Sequence, residues 1–260
     1  MARIGAVPVD PRRPDPRSLV RLAGLLTPLL AWEAASRSGV LHSAFTPPVS
    51  RVLLRALALP GEAAADYAVT GAEIVVALLL SSLGGVALGV LLAQSERLDA
   101  LLGGLIWFVY ASPIVAFTTL FVVVLGVGPA VPVSLGILSG IVFVIASTRD
   151  GVRQISPELV KVGRVFGAGR LELALRIVVP AAIPMIMAGL RVGVGRVLVG
   201  VIVGEFFAAG GGLGYLIVKY GNDLDMERVY ATVLWIVLAS VLLNVAFARV
   251  ERSFVTWRPV

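Results

Sequence analysis

Charged residues are spread so unevenly along this chain that its elements can be read from where charge is missing. Ile74 to Ser95 carries none, Ala100 to Thr148 carries none, and neither does Tyr230 to Ala248. A helix needs about 20 apolar residues, rising ~1.5 Å each, to cross a ~30 Å hydrocarbon core. The first run therefore holds one crossing, the second two and the third one. Ala182 to Ala208 is a further apolar run, and it carries Arg191, Arg196 and Glu205. Ser18 to Ala35 is a weaker span, with Arg21 and Glu33 near its ends, where charges snorkel to the interface. The pattern predicts an all-α integral membrane protein with six transmembrane helices, at 18–35, 71–93, 101–125, 130–148, 182–208 and 229–248. A membrane barrel would show alternating segments of about ten residues instead, and the chain has no such alternation.

The connections follow. Met1 to Arg17, rich in Pro and Arg, reads as a flexible cytoplasmic tail without the apolar centre of a signal peptide. Residues 18–250 form the membrane domain, and 251–260 a second cytoplasmic tail. Ser36 to Tyr67 is a loop broken by Pro47, Pro48 and Pro60, with a short interfacial helix around Ser50 to Leu59. Gln94 to Asp99 and Gly126 to Pro132 are turns, and Ala208 to Glu227 is a loop. Pro113 falls inside the third span, where its missing N–H predicts a kink. Gly85 and Gly89, Gly136 and Gly140, and Gly200 and Gly204 are each four apart, a spacing that lets helices pack closely in lipid, within one bundle or between two copies.

Composition agrees with the pattern. Hydrophobic residues make up 58% of the 260 and charged residues 15%, against about half and a quarter in a soluble domain; mean hydropathy is +0.96. Cysteine is absent and His42, in a loop, is the one histidine, so disulfide, zinc, haem and iron–sulfur chemistry find no ligand set. The net charge is +6, but in a membrane protein its placement matters more. With the N-terminus inside, the inner loops carry about three times as many Lys and Arg as the outer ones, which puts both termini in the cytoplasm. No G-x-x-x-x-G-K-[ST] loop and no Ser/His/Asp set occurs, so the chain reads as neither an ATPase nor another enzyme.

One cytoplasmic segment breaks the apolar pattern. In GRVFGAGRLELALRIVVPAAIPM, Gly163 to Met185, and the residues just before it, two short amphipathic helices can be read over about 157–180. Leu159, Val162 and Phe166 share a face of the first, opposite Glu158, Lys161 and Arg164; Leu171, Ala174, Leu175 and Val178 share a face of the second, opposite Arg170, Glu172 and Arg176. Gly167 and Gly169 form the joint, and Pro180 ends the second helix or opens the next. A helix pair of this kind docks into a groove of a soluble partner or lies on the lipid headgroups.

This segment resembles the cytoplasmic loop of ABC importer permeases, E-A-A-x3-G-x9-I-x-L-P. Gly167, Ile177 and Pro180 keep the spacing, Val179 takes the Leu place, and Lys161, Val162 and Gly163 replace E-A-A. TPPVS (Thr46 to Ser50), SPIVAF (Ser112 to Phe117), LGVGPAVP (Leu125 to Pro132) and GEFFAAGGGLGYLI (Gly204 to Ile217) resemble the nitrate, sulfonate and taurine branch in the same order, over roughly Leu19 to Val250. The resemblance implies a type I importer permease fold in a bacterial or archaeal plasma (inner) membrane. It implies a second permease copy, two cytoplasmic ATPases that hold ATP and Mg, and an extracytoplasmic binding protein. It implies no cofactor in this chain and no nucleic acid. Leu159, Lys161, Val162, Gly163, Phe166, Gly167, Ile177 and Pro180 then form the ATPase-coupling loop, with Lys161 reversing the family's charge. The substrate is a small anion such as a sulfonate, taurine or nitrate, or a vitamin precursor; a self-contained secondary transporter or channel is the alternative class.

Further candidates lie toward the other side. Pro113, Arg196 and Glu205 are candidates for the translocation pathway, since charge in a span usually faces a bundle interior or water. Arg196 and Glu205, nine apart, fall on opposite faces and do not pair. Gly210, Gly211, Gly212 and Gly214 form a candidate outer gate or binding-protein contact. Glu73 reads as a solvated helix-end charge, and Arg191 as snorkelling or paired to a neighbouring helix.

Overall fold

The computed structural model describes residues 16–42, 44–208 and 210–255, and they are helical almost throughout. Most of the expected 1–17 tail and the end of the 251–260 tail lie outside the described residues. The order is α1 (Pro16–Arg37), α2 (Val49–Glu62), α3 (Ala64–Gln94), α4 (Glu96–Ala111), α5 (Ala116–Leu125), α6 (Ala130–Arg153), α7 (Pro157–Val165), α8 (Arg170–Leu173), a π-helical turn (Ala174–Val178), α9 (Val179–Ala208), α10 (Leu213–Asn222) and α11 (Met226–Val255).

Among the described residues, α3, α6, the helix from Leu171 through α9, and α11 are long and apolar enough to cross a membrane. The expected third span is not one kinked helix: α4 and α5 meet at 110°. Ser112 to Val115 interrupt the helix because Pro113 has no N–H to donate and pushes the residue before it to extended backbone; Ser112 sits at φ −80°, ψ 139°. The pair makes a broken span or a re-entrant loop. With it the crossings number up to five, and α1, 22 residues long, is less apolar than these. The interfacial helix expected at Ser50 to Leu59 is α2, packed on α11 through Val52, Ala56 and Leu59. Several expected boundaries differ: α3 begins at Ala64, inside the expected Ser36 to Tyr67 loop, and α6 runs on to Arg153. The loop after Ala208 contains α10, and α11 continues to Val255, five residues into the expected tail.

The core is a three-helix seam of α3, α6 and α9, and the glycine pairs make it. A Cβ on Gly85 would sit 2.6 Å from Val144 Cβ, one on Gly89 2.6 Å from Thr148 Cβ, and one on Gly136 2.7 Å from Val201 Cγ2. Gly200 and Gly204 lie directly on the backbone of Leu135 and Pro132. These pairs pack helices within one chain, where close backbone approach gains dispersion contact that apolar side chains cannot gain in lipid. Polar ties hold the ends. Asp99 accepts from Arg149 and Arg153, 2.9 Å each, joining the first turn of α4 to α6. Arg228 bonds Glu62 at 3.0 Å, and Trp235 Nε1 donates to the Ala56 carbonyl at 2.8 Å, joining α2 to α11.

Candidate functional site: a groove beside α7 and a clamp at the end of α9

Ser156 caps α7: its hydroxyl accepts the Glu158 N–H at 3.3 Å and donates to the Glu158 carboxylate. That hydroxyl, with the backbone of the first turn, holds the Glu158 carboxyl below its ordinary pKa. α7 ends at a turn in which Gly167 takes φ +82° and the Ala168 N–H reaches back to the Gly163 carbonyl at 3.1 Å. A residue with a Cβ would be strained there.

The second half of the segment is not a separate helix. From Leu171 the chain runs unbroken into α9, so Pro180 neither ends it nor opens a new one. Pro180 lacks an N–H, and the helix widens just before it: the Val179 N–H bonds to Ala174, five residues back. This wider turn shifts the register, and the expected stripe splits. Leu173 and Val178 are buried and Ala174 and Ile177 half-buried, while Leu171 and Leu175 face outward.

α7 packs on this turn through Gly163, where a Cβ would sit inside contact distance of Ile177 Cδ1 and 2.6 Å from Leu173 Cδ2. Val160 is its other half-buried side chain. The Leu159, Val162 and Phe166 stripe therefore points away from the chain, and Phe166 is 86% exposed. Leu159, Val162, Gly163, Phe166, Ile177 and Pro180 line a groove of about 470 Å³, with Glu172 and Arg176 on its rim. Lys161 is exposed and outside that lining. An apolar groove with such a rim has the character of a protein-docking surface.

The three pathway candidates separate. Pro113 and Arg196 line one recess of about 240 Å³ with Tyr110, Ser112, Ser139 and Phe143. The Arg196 guanidinium lies 4.8 Å from the Phe143 ring centroid, which orients it by cation–π attraction. The Ser139 hydroxyl, buried beside it, has no hydrogen-bond partner among the described residues. A cation, hydroxyls and an aromatic edge suit an oxyanion. Arg191 pairs with Glu251 of α11 at 3.5 Å.

Glu205 lies elsewhere, 1% exposed, near the C-terminal end of α9. Its carboxylate accepts the Thr70 hydroxyl and the Gly214 N–H, 2.6 Å each. Thr70 accepts the Leu213 N–H at 2.8 Å, and Asp66 accepts the Gly212 N–H at 2.8 Å. The amides at the start of α10 are thus held by two carboxylates and a hydroxyl, and a helix N-terminus favours such negative groups. Gly212 has φ +104°, and a Cβ there would collide with the Glu205 carboxyl. Gly211 lies over Asp66, whereas Gly210 is exposed with open space around it. Sequence reasoning missed Asp66 and Thr70. Their spacing of four, with Glu73 three further on, put three polar groups on one face of a greasy helix, and that was the available signal. The expectation that Glu73 is solvated is corrected: it is 5% exposed, covered because the α10 turn folds back over α3.

Residues 85–256 match the family model described as binding-protein-dependent transport system inner membrane component. The taurine transport system permease TauC of Escherichia coli K12 is 25% identical over 254 residues, covering 95% of this chain and 92% of its own length. A putative aliphatic sulfonates transport permease, SsuC, of Bacillus subtilis 168 is 25% identical, with 95% and 91% covered. A probable ABC transporter permease of Haemophilus influenzae is 31% identical over 67% of this chain and 71% of its own. The fold is shared with a chain of the inward-facing MetNI methionine ABC transporter, with a TM-score of 0.64 and 17% identity over 72% of this chain and 93% of that one.

Proposed function

The chain belongs to the family of binding-protein-dependent transport system inner membrane components, and from that premise we propose that it is the pore-forming half of an ATP-driven importer. Two copies pair in the plasma membrane, each with six spans (α1 and the bent α4–α5 pair included) and both termini in the cytoplasm. Two ATPase subunits, which hold ATP and Mg, seat on the cytoplasmic grooves, and an extracytoplasmic binding protein delivers the solute. The observation that carries the reading is the outward-facing apolar stripe of α7 beside a groove that continues, through the π turn, into α9. A partner pulling on α7 therefore acts on the helix that ends at the outer clamp. Keeping the joint glycine while losing the acidic residue leaves the docking geometry in place and puts Lys161 where the ATPase meets a positive charge.

The test is gentle purification of the tagged permease from its own host. An ABC ATPase should accompany it in equal amount and be lost from Gly167→Leu, which inserts in the membrane but forces a branched side chain into φ +82°. A partner-free oligomer that moves solute in liposomes without ATP would leave a secondary transporter or channel in its place.

For the solute we take a sulfonate or similar oxyanion, on the Arg196 recess and on the taurine and sulfonate permeases among the relatives. A pyrimidine-type vitamin precursor is the second reading, because a Halalkalibacterium halodurans relative at 27% identity is a formylaminopyrimidine permease. Arg196→Gln should lower sulfonate uptake roughly 10- to 100-fold, the range of a lost charge-assisted hydrogen bond, with the ATPase still bound. Uptake unchanged in labelled-taurine assays removes Arg196 from the pathway.

A further inference from the structure

The outer ends of α3 and α9 hold a carboxyl that neither docking nor the anion recess uses. Neither oxygen of Glu73 has a donor within reach among the described residues. Thr70, one turn before Glu73 on α3, bonds the Glu205 carboxylate, and Gly136 of α6 lies against both Ala77 and Val201, one turn from each acid, so the Glu73 side chain sits beside the Glu205 carboxyl where α3 and α9 meet. Glu205 already accepts from Thr70 and Gly214, so both groups are acceptors unless a proton lies between them. Two carboxylates in contact in a dry site do not both stay charged.

The surroundings supply no cation. α3 adds a third acid, Asp66. α10 turns backbone amides toward the pair, and its Lys219 is exposed. The ionisable residues of α6 sit at its opposite end, from Arg149 on. Arg55 of α2 is taken up by Glu62, and Arg228 of α11 by Glu62 and Asp225; Glu227 of α11 pairs with Arg51. Tyr67 of α3 and Tyr215 and Tyr220 of α10 are the remaining titratable groups near this end among the described residues.

We infer that Glu73 and Glu205 together bind one proton from the outer face, and that this proton fastens the glycine turn before α10 to α3 and α9. With the proton in place, an acid-to-carboxylate hydrogen bond joins the two helices and leaves Glu205 free to receive the Thr70 hydroxyl and the Gly214 amide. When the proton leaves to external water, two like charges meet in a dry pocket. They gain solvation only by admitting water, and the cover over them is the 210–214 turn, which lifts. Raising the outer pH therefore loosens the turn and lowering it closes the turn. Gly212 is required for this device, since any side chain would occupy the space of the Glu205 carboxyl.

The chain has no cysteine, so Gly210→Cys supplies a single thiol at an exposed position whose Cβ meets nothing within 4 Å. Its labelling by a membrane-impermeant maleimide is followed against outer pH in right-side-out vesicles, with and without Glu73→Gln. The thiol's own ionisation is common to both backgrounds, so their ratio reads the turn. Glutamine donates to Glu205 permanently and holds the turn shut. The labelling rate with Glu73 intact, divided by the rate in the Glu73→Gln background, should rise with pH by up to about tenfold per unit, the limit for one linked proton. Identical profiles overturn the proposal. Should Glu73→Gln fail to insert, infrared spectroscopy of the unsubstituted protein decides: a protonated-carboxyl C=O band that disappears as pH is raised is expected, and its absence at every pH overturns the site. Neither measurement uses ATP or a partner, so the importer reading can fail without touching this one.

Discussion

Gly163→Leu is expected to abolish ATP-coupled uptake while the permease still reaches the membrane in normal amount. α7 is nine residues long, too short to be stable in water without tertiary contacts, and it rests on the π turn chiefly at Gly163. A leucine there must displace Ile177 and Leu173, whose tips already occupy the space of a Cβ. Overpacking of this kind costs about 1–3 kcal/mol, enough to undock a helix held by so little. Gly163→Ala should be nearly neutral, because the atoms its methyl meets are the far ends of flexible side chains. Uptake in proteoliposomes, read beside the amount of bound ATPase, checks the pair. A leucine variant that transports normally would show that α7 does not need its seat on the π turn.

The second large effect concerns folding. At Gly204 a methyl would fall on Pro132, inside contact distance of its Cα and 2.9 Å from its nitrogen. No rotamer change relieves a clash with backbone, so α6 and α9 must separate where Pro132 and Gly204 meet. Gly204→Ala should destabilise the protein by about 1–3 kcal/mol and lower its unfolding temperature in detergent. Gly104→Ala, in a helix with nothing within 4 Å of the new methyl, should leave the midpoint unchanged or raise it slightly through helix propensity. Equal midpoints for the two alanine variants would mean that the α6–α9 seam is looser than its backbone contacts indicate. The two experiments separate coupling from folding: Gly163 lies outside the three-helix core, and Gly204 is part of it.

Much of this was legible because the bilayer simplifies the code. Runs without charge located α3, α6 and α11, and a long apolar run with three charges located α9, to within a few residues at most ends, since an apolar helix of that length has few other places to go. The segment around α7 was legible for the converse reason: Glu158, Lys161 and Arg164 on one face of α7 exclude it from lipid. Periodicity did not reveal which of its apolar faces packs inward. Leu159, Val162 and Phe166 look like a core stripe in isolation, and only the seat at Gly163 turns them outward. The third span is a bent pair of helices rather than one kinked helix, because Pro113 is compatible with a kink or a break and the choice rests on what surrounds Ser112 to Val115.

By itself the sequence determined the helical membrane class, the amphipathic insertion between two apolar runs and the family resemblance, all of which rest on local quantities: run length, period and residue spacing. The tertiary structure decided what Glu205, Glu73 and Arg196 face. A charge in a span is costly wherever it points, so its presence is visible in the sequence. Its partner is set by which helix lies alongside, and for Glu205 that partner, Thr70, is 135 positions away. The fold brought Arg196 beside Pro113 and carried Glu205 away to the glycine turn. It did so because residues nine apart in a helix point to opposite sides, and the seam of small residues fixed which side meets α3.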